Sequence, residues 1–133
     1  MPKLNLCVLK CIKINSNNSK NILLLYKDKF PGLSHMRVSD EIINVLYVDR
    51  KTDEPVGYFS VDKDRKMILA IDVSKKYRSS KIGTQLLKKA IENKGYNLTV
   101  RKTNKIAINM YLKNGFKIYD ENPYQYIMKI PNK

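Results

Sequence analysis

Residues 71–83 read IDVSKKYRSSKIG and set the architecture at the centre of the chain. The apolar run from Met67 to Val73 predicts a β-strand that ends in a polar turn. An amphipathic helix is predicted after the turn, because apolar side chains recur on one helical face. The residues on that face are Ile82, Leu86, Leu87, Ala90 and Ile91.

The turn between this strand and this helix has the features of an anion site. Backbone N–H groups of the first helical turn and the positive end of the helix dipole would point at the same ligand. Gly83 removes a Cβ where phosphates approach the backbone, and Ser79 and Ser80 are candidate N-cap or phosphate-binding hydroxyls. Without other information, the same strand–turn–helix order is also an ordinary connection in an α/β protein that binds no ligand.

A second informative run, residues 103–116, reads TNKIAINMYLKNGF. It follows a β-prone run from Leu98 to Asn104 and predicts a helix that stops at Asn114-Gly115, since Gly is common just after a helix end. Tyr111 lies on this mostly apolar helix, where a tyrosine ordinarily packs in the core. The residues alone therefore favour a structural role for it.

Both runs resemble the Gcn5-related N-acetyltransferase (GNAT) family, whose members move an acetyl group from acetyl-CoA to an amine. The family's turn has a sequence pattern in which an upstream Val is followed by Gln or Arg, any two residues, Gly, any one residue, and then Gly or Ala. Val73, Arg78 and Gly83 match this pattern. Lys81 stands where the first glycine is expected. Either the turn avoids positive φ there, or the lysine ammonium replaces close backbone approach with direct charge on a phosphate. The resemblance covers roughly Met67 to Tyr119.

The resemblance implies acetyl-CoA as co-substrate and no metal. Main-chain groups of Ile71, Asp72 and Val73 would pair with the pantetheine arm like an added strand. The turn and the first helical turn would hold the pyrophosphate, and Asn104 would contact CoA. The residues implied at the turn are Arg78, Ser79, Ser80, Lys81, Ile82, Gly83 and Thr84.

The resemblance also changes the interpretation of Tyr111, because Asn104 and Tyr111 stand at the family's separation between a CoA-contacting asparagine and a general acid. A phenol with a pKa of about 10 is suited to protonate a departing thiolate. The family often places a basic glutamate on one of two central strands, at the positions that Met67 and Thr99 hold here. Neither side chain accepts a proton usefully, so the usual base is absent.

Two alternatives remain for the base. Asp72 is near in sequence, but strand alternation turns it away from its neighbours Ile71 and Val73, which fits a structural or solvent-facing role equally well. The working hypothesis is a water chain to bulk solvent, organised by Tyr124 or Tyr126.

Length and composition predict a single domain over residues 1–133, because 43% hydrophobic residues suffice for a core. No apolar run reaches about 18 residues, and the amino terminus lacks the apolar segment of a signal peptide, so a soluble, cytoplasmic protein is expected. In one strand Cys7 and Cys11 would stand about 13 Å apart, too far for a disulfide. With His35 as the single histidine, no zinc site is expected.

The net charge of +14 is unevenly distributed. From Lys75 to Lys117 there are twelve Lys or Arg and one acid, Glu92. Such a field would assist capture of the CoA phosphates and steer a cationic acceptor toward the less basic side, formed by the early loops and the last hairpin. A solvated lysine-rich surface explains the same charge. Binding to RNA or DNA is supported by no recognisable motif.

The remaining elements complete a sheet. Strands are predicted at Leu4–Ile14, Ile42–Asp49, Val56–Val61, Phe116–Tyr119 and Tyr124–Ile130, a helix at Asn21–Lys29, and a bend at Asn122-Pro123. The Met67 and Leu98 strands should run parallel, because a helix joins them, and their splaying would open a V-shaped cofactor cleft. The expected fold class is α/β (α+β), with a mixed, mostly antiparallel central sheet flanked by helices.

The favoured function is acetyl transfer from acetyl-CoA to a primary amine of a small molecule or protein, by direct attack in a ternary complex. A catalytically weak acetyl-CoA-binding module and a basic nucleic-acid-binding protein are the alternatives. No sequence motif identifies the acceptor amine or the oligomeric state.

Overall fold

The computed structural model of the protein describes residues 4–78 and 80–133. Its strands are β1 (Lys10–Ile14), β2 (Ile42–Val48), β3 (Pro55–Asp62), β4 (Met67–Val73), β5 (Asn97–Arg101), β6 (Lys117–Glu121) and β7 (Gln125–Lys129). Its α-helices are α1 (Ser19–Tyr26), α2 (Ile82–Glu92) and α3 (Lys105–Lys113). Short 3₁₀ helices lie at Leu6–Val8, Pro31–His35 and Lys75–Tyr77.

One seven-stranded sheet has the order β1-β2-β3-β4-β5-β7-β6. Every neighbouring pair is antiparallel except β4 and β5, which are parallel, so the expected mixed, mostly antiparallel sheet is confirmed. The parallel pair shares a single register position, Met67 with Asn97. Beyond that position the two strands separate, and the sheet opens into the V that the sequence predicted.

Each face of the sheet carries its own apolar core. The larger core packs α2 and α3 on one face, and the smaller packs α1 and the 3₁₀ helix Pro31–His35 on the other. A Cβ on Gly57 would lie 2.8 Å from Leu86 Cδ1, so glycine in β3 permits the close approach of α2. This packing fixes the first turn of α2 beside the end of β4.

Strand β4 carries a β-bulge. Ser60 pairs with Ala70 and Val61 pairs with Ile68, which leaves Leu69 as an extra residue on β4. After the bulge, Ile71 packs against the larger core and Ala70 against the smaller one. The bulge therefore sets which β4 side chains face each side of the sheet.

The predicted strand Leu4–Ile14 is wrong in its first half, because a 3₁₀ helix occupies Leu6–Val8 and sheet pairing begins at Lys10. Side chains satisfy the backbone there instead of a neighbouring strand. Asn5 Oδ1 accepts from the Cys7 N–H at 2.9 Å, and Gln85 Oε1 accepts from the Leu6 N–H at 2.9 Å.

The revised start of the first strand also removes the distance argument for the two cysteines. Cys7 lies in the 3₁₀ helix and Cys11 in β1, and both thiols are free and exposed.

Over the described part of the chain, the helices are too short or too polar to cross a membrane.

Candidate active site

A cleft of about 460 Å³ lies where β4 and β5 separate, between the end of β4 and the first turns of α2 and α3. It collects predicted residues from all three elements, which are Ile71, Asp72, Val73, Arg78, Gly83, Asn104 and Tyr111. It also contains three residues that sequence reasoning did not assign to the site, namely Ile106, Ala107 and Met110.

The three additional residues give the cleft an apolar wall on α3. Ile106 is 87% exposed, which is unusual for an isoleucine and leaves its side chain to be covered by whatever enters the cleft. Ile106 and Met110 stand one helical turn apart, so they share a face. That spacing, beside a predicted anion site, is the signal that would have identified them.

Helix α2 begins at a strained backbone position. Lys81 is its N-cap and adopts φ 68° and ψ 13°, in the left-handed region, so the possibility that the turn avoids positive φ is excluded. The Lys81 side chain does not cap the helix. The N–H groups of the first turn are therefore available to an anion, with the positive end of the helix dipole behind them.

The first turn of α2 lies close to two other elements. A Cβ on Gly83 would lie 3.4 Å from Met110 Sδ on α3 and 3.8 Å from Val73 Cγ2 on β4. Arg78 joins the turn to the strand, because its Nε donates to the Val73 carbonyl at 3.2 Å. The predicted phosphate site and the end of β4 are thus held together as one unit.

Other predicted phosphate residues contribute through the main chain or lie elsewhere. The Ser80 hydroxyl is buried and donates to the Tyr77 carbonyl, so it is neither the N-cap nor turned toward the cleft. Ile82 is buried in the larger core, which leaves only its backbone for a ligand. Thr84 lies half-buried in the first turn of α2, and Ser79 lies outside the described residues.

Helix α3 positions Asn104 and Tyr111 on the opposite wall. Asn104 is the N-cap, and its side chain accepts from the Ala107 N–H at 3.3 Å. The helix ends in a Schellman motif, since the Phe116 N–H donates to the Tyr111 carbonyl at 3.1 Å and Gly115 adopts φ 98°. The predicted glycine stop is therefore present, and it anchors Tyr111.

The Tyr111 ring is half-buried and packs 5.8 Å from the Phe116 ring, centroid to centroid. Burial raises the pKa of the Tyr111 phenol above its ordinary value. The group therefore keeps its proton at neutral pH, which is the state that a proton donor needs.

Asp72 borders the same cleft and is also half-buried. Burial raises the pKa of its carboxyl, an effect opposed by the Val73 N–H and the Arg78 guanidinium. Asp72 is the register partner of Tyr58 on β3. Burial, and then the Asp72 charge, raise the pKa of Tyr58 to about 12.

A second pocket, of about 390 Å³, lies on the α1 side of the sheet. The β4 bulge residues Leu69 and Ala70 line it, together with Gly32, His35, Met36, Arg37, Tyr58 and Ser60. Strand β4 thus supplies residues to both pockets, with Asp72 two positions beyond Ala70.

The tyrosines proposed to organise a water chain lie on the last hairpin. Tyr124 is 79% exposed and lines a separate depression with Arg101 and Lys102. Tyr126 is half-buried, with Lys102 Nζ 5.2 Å from its ring centroid. Within residues 4–78 and 80–133, no group of three or more His, Cys, Asp or Glu side chains is arranged to hold a metal ion.

Comparison with known proteins gives one family. The profile of the acetyltransferase (GNAT) family matches residues 21–116. No curated protein matches the sequence.

Solved structures share the fold at low sequence identity. The ribosomal-protein-S18-alanine N-acetyltransferase from Escherichia coli superposes with a TM-score of 0.69 at 14% identity, covering 92% of this chain and 93% of that one. Arabidopsis thaliana NAA60 with a bisubstrate analogue gives 0.63 at 17% identity, with coverage of 94% and 99%. The PaiA N-acetyltransferase of Thermoplasma acidophilum with coenzyme A gives 0.60 at 15%, with coverage of 90% and 96%. At these identities the likeness concerns the fold alone.

Proposed function

Because the chain belongs to the acetyltransferase (GNAT) family, we propose that it transfers the acetyl group of acetyl-CoA to a primary amine by direct attack in a ternary complex. The observation that carries the proposal is the cleft between β4 and α3, with the start of α2, which the Lys81 side chain does not cap, at one end and the Tyr111 phenol on its wall. An anion site binds the CoA phosphates, and a proton donor protonates the departing thiolate in thioester aminolysis.

The cleft suits an extended thioester carrier. Past Met67, β4 has no register partner on β5, so that edge of β4 is open to the amides of the pantetheine arm, with the Val73 carbonyl already accepting from Arg78 Nε. The pyrophosphate then meets the first-turn N–H groups of α2 beside Lys81, and Ile106 and Met110 cover the arm from α3. Related folds solved with acetyl-CoA or coenzyme A support this assignment.

Tyr111 serves as the general acid. In the reaction, the amine nitrogen forms a bond to the acetyl carbonyl carbon, the C–S bond breaks, and the departing thiolate takes the phenolic proton of Tyr111. The described residues that line the cleft include no cysteine, and Cys7 and Cys11 line a different depression. Direct attack is therefore favoured over a cysteine-bound acetyl intermediate.

The acceptor enters from the α1 side of the sheet. The pocket beside the β4 bulge opens there, and the 3₁₀ helix Pro31–His35 forms its rim. This face lies outside the basic segment from Lys75 to Lys117, so an amine that carries positive charge meets less repulsion on this route.

Two measurements test the function. Calorimetry with acetyl-CoA should show saturable binding, and thiol release should follow when a panel of small amines and peptide amino termini is offered. Binding without thiol release from any amine would indicate a CoA-binding module. A folded protein that does not bind acetyl-CoA would refute the proposal and leave nucleic-acid binding as the alternative.

A further inference from the structure

The position of Asp72 relates it to both pockets. Strand alternation turns Asp72 away from Ile71 and Val73, which pack against the larger core, and toward the face of its register partner Tyr58. Tyr58 and Ala70 line the pocket on that face. Asp72 also borders the acetyl-CoA cleft. It therefore lies where a group entering from the acceptor side meets the carrier arm.

The electrostatic state of Asp72 is unusual for so basic a chain. The protein has 26 Lys and Arg residues, yet none of the described ones forms an ion pair with Asp72. The nearest guanidinium, on Arg78, donates its Nε to the Val73 carbonyl instead. A half-buried carboxylate without a direct ion-pair partner is costly even with the Arg78 guanidinium nearby, and a cation placed beside it would be stabilised.

We propose that the Asp72 carboxylate receives the ammonium group of the acceptor and is the base that removes its proton before attack. The inference rests on the proposed function and supplies the base that Met67 and Thr99 cannot. An ammonium N–H bond breaks and its proton passes to an Asp72 carboxylate oxygen. The free amine then attacks, and Tyr111 protonates the departing thiolate. Two protons remain to be placed, one lost by the new amide nitrogen and one held by Asp72. One of them restores the Tyr111 phenol and the other passes to solvent, so one proton is released per turnover.

This assignment replaces the water chain through Tyr124 or Tyr126. Tyr124 is largely exposed on a loop that lines a separate depression, and Tyr126 packs beside the Lys102 ammonium. Neither residue borders the cleft between β4 and α3. The ionisable groups around Asp72 are Tyr58 from β3, Arg78 from the turn, Tyr111 from α3 across the cleft, and His35 and Arg37 in the adjoining pocket.

The test compares Asp72→Asn with Asp64→Asn, the same chemical change at an exposed position in the turn before β4. At neutral pH, Asp72→Asn should lower kcat/KM for the amine by about 10²-fold, the usual lower range for losing a general base. The Kd for acetyl-CoA should stay within about twofold. The loss should shrink as the pH approaches the pKa of the amine, because an unprotonated amine needs no base. Asp64→Asn should match the parent protein.

The parent protein alone gives a second test, which stands even if the Asn variant folds poorly. With two amines of different pKa, kcat/KM should share an acid-side ionisation that does not move with the amine. If only the pKa of each amine appears, or if Asp72→Asn keeps parental kcat/KM at neutral pH, Asp72 is not the base, and the proposed function still stands. If the parent releases no thiol with any amine, the proposed function falls and this assignment falls with it.

Discussion

Replacing Lys81 by glycine should stabilise the protein while weakening its hold on acetyl-CoA. Lys81 adopts φ 68° at the start of α2, and Lys94 adopts φ 69° just after its end. Both lysines are exposed, and Lys94 lies at the opposite end of the helix from the cleft. Lys94→Gly is therefore a matched control, with the same residue change, nearly the same positive φ and the same loss of charge.

The size of the stability change follows from the backbone conformation. A left-handed conformation costs an L-residue roughly 1–2 kcal/mol, and glycine avoids this cost. Glycine also gives the unfolded chain more conformational freedom, which lowers the free energy of unfolding by about 0.4–1 kcal/mol. The net gain is about 0.5–1 kcal/mol for each substitution. With an unfolding entropy of about 2.1 cal/mol/K per residue, Tm should rise by about 2–4 °C in this 133-residue chain.

The effect on the ligand should distinguish the two sites. An exposed charge beside a phosphate contributes about 0.5–1 kcal/mol, so Lys81→Gly should raise the Kd for acetyl-CoA about two- to fivefold, less at high salt. Lys94→Gly should leave the Kd unchanged. Thermal melts by circular dichroism and calorimetry at low and high salt measure both quantities.

Two outcomes would refute the reasoning. A lower Tm for Lys81→Gly beside a higher Tm for Lys94→Gly would mean that the Lys81 side chain makes a stabilising contact that outweighs the backbone strain. An unchanged or lower Kd for Lys81→Gly would mean that close backbone approach matters more than the ammonium. The lysine would then impair phosphate binding.

Three further predictions concern the cleft and the helix that forms its wall. Tyr111→Phe should lower kcat by about 10²-fold or more with acetyl-CoA affinity nearly unchanged, and equal turnover in a thiol-release assay would remove Tyr111 from the acid role. Gly115→Ala should lower stability by about 1 kcal/mol, because φ 98° strains any residue with a Cβ, and a denaturant titration that matches the parent would contradict this. Asp72→Asn should raise Tm at neutral pH, because the pKa of the Asp72 carboxyl is raised in the folded protein and its ionisation therefore destabilises the fold. This destabilisation is absent at low pH and develops as the pH rises through the acidic range. A Tm difference from the parent that is constant from acidic to neutral pH would count against that charge penalty.

Local sequence patterns predicted the elements that build the cleft. The apolar run of β4, the helical period of α2 and the glycine after α3 are local sequence signals, so they do not depend on contacts with distant residues. The order of these elements also made β4 and β5 parallel, and with that came the opening between them. These features explain why most predicted site residues do line one cleft.

The features that were not predicted depend on distant partners. The first strand is shortened because Gln85 bonds the backbone at Leu4, 81 residues away in sequence. The extra residue at Leu69 appears only when β4 is aligned against β3. Ser80 resembled a phosphate-binding hydroxyl, but its environment comes from the core beneath the turn, which buries it. No window of the sequence contains such information.

Departures from local preference gather on β4 and the turn that follows it. Leu69 interrupts the ladder, Asp72 holds a half-buried carboxyl without a described ion-pair partner, and Lys81 places a side chain in left-handed backbone. Each costs stability, which the cores on both faces of the sheet offset. Lys94 shows that strain alone does not mark a site, because it lies equally strained at the far end of α2. What distinguishes β4 is that its irregular positions Leu69 and Asp72 border two pockets, the two in which we propose that the acceptor and the thioester bind.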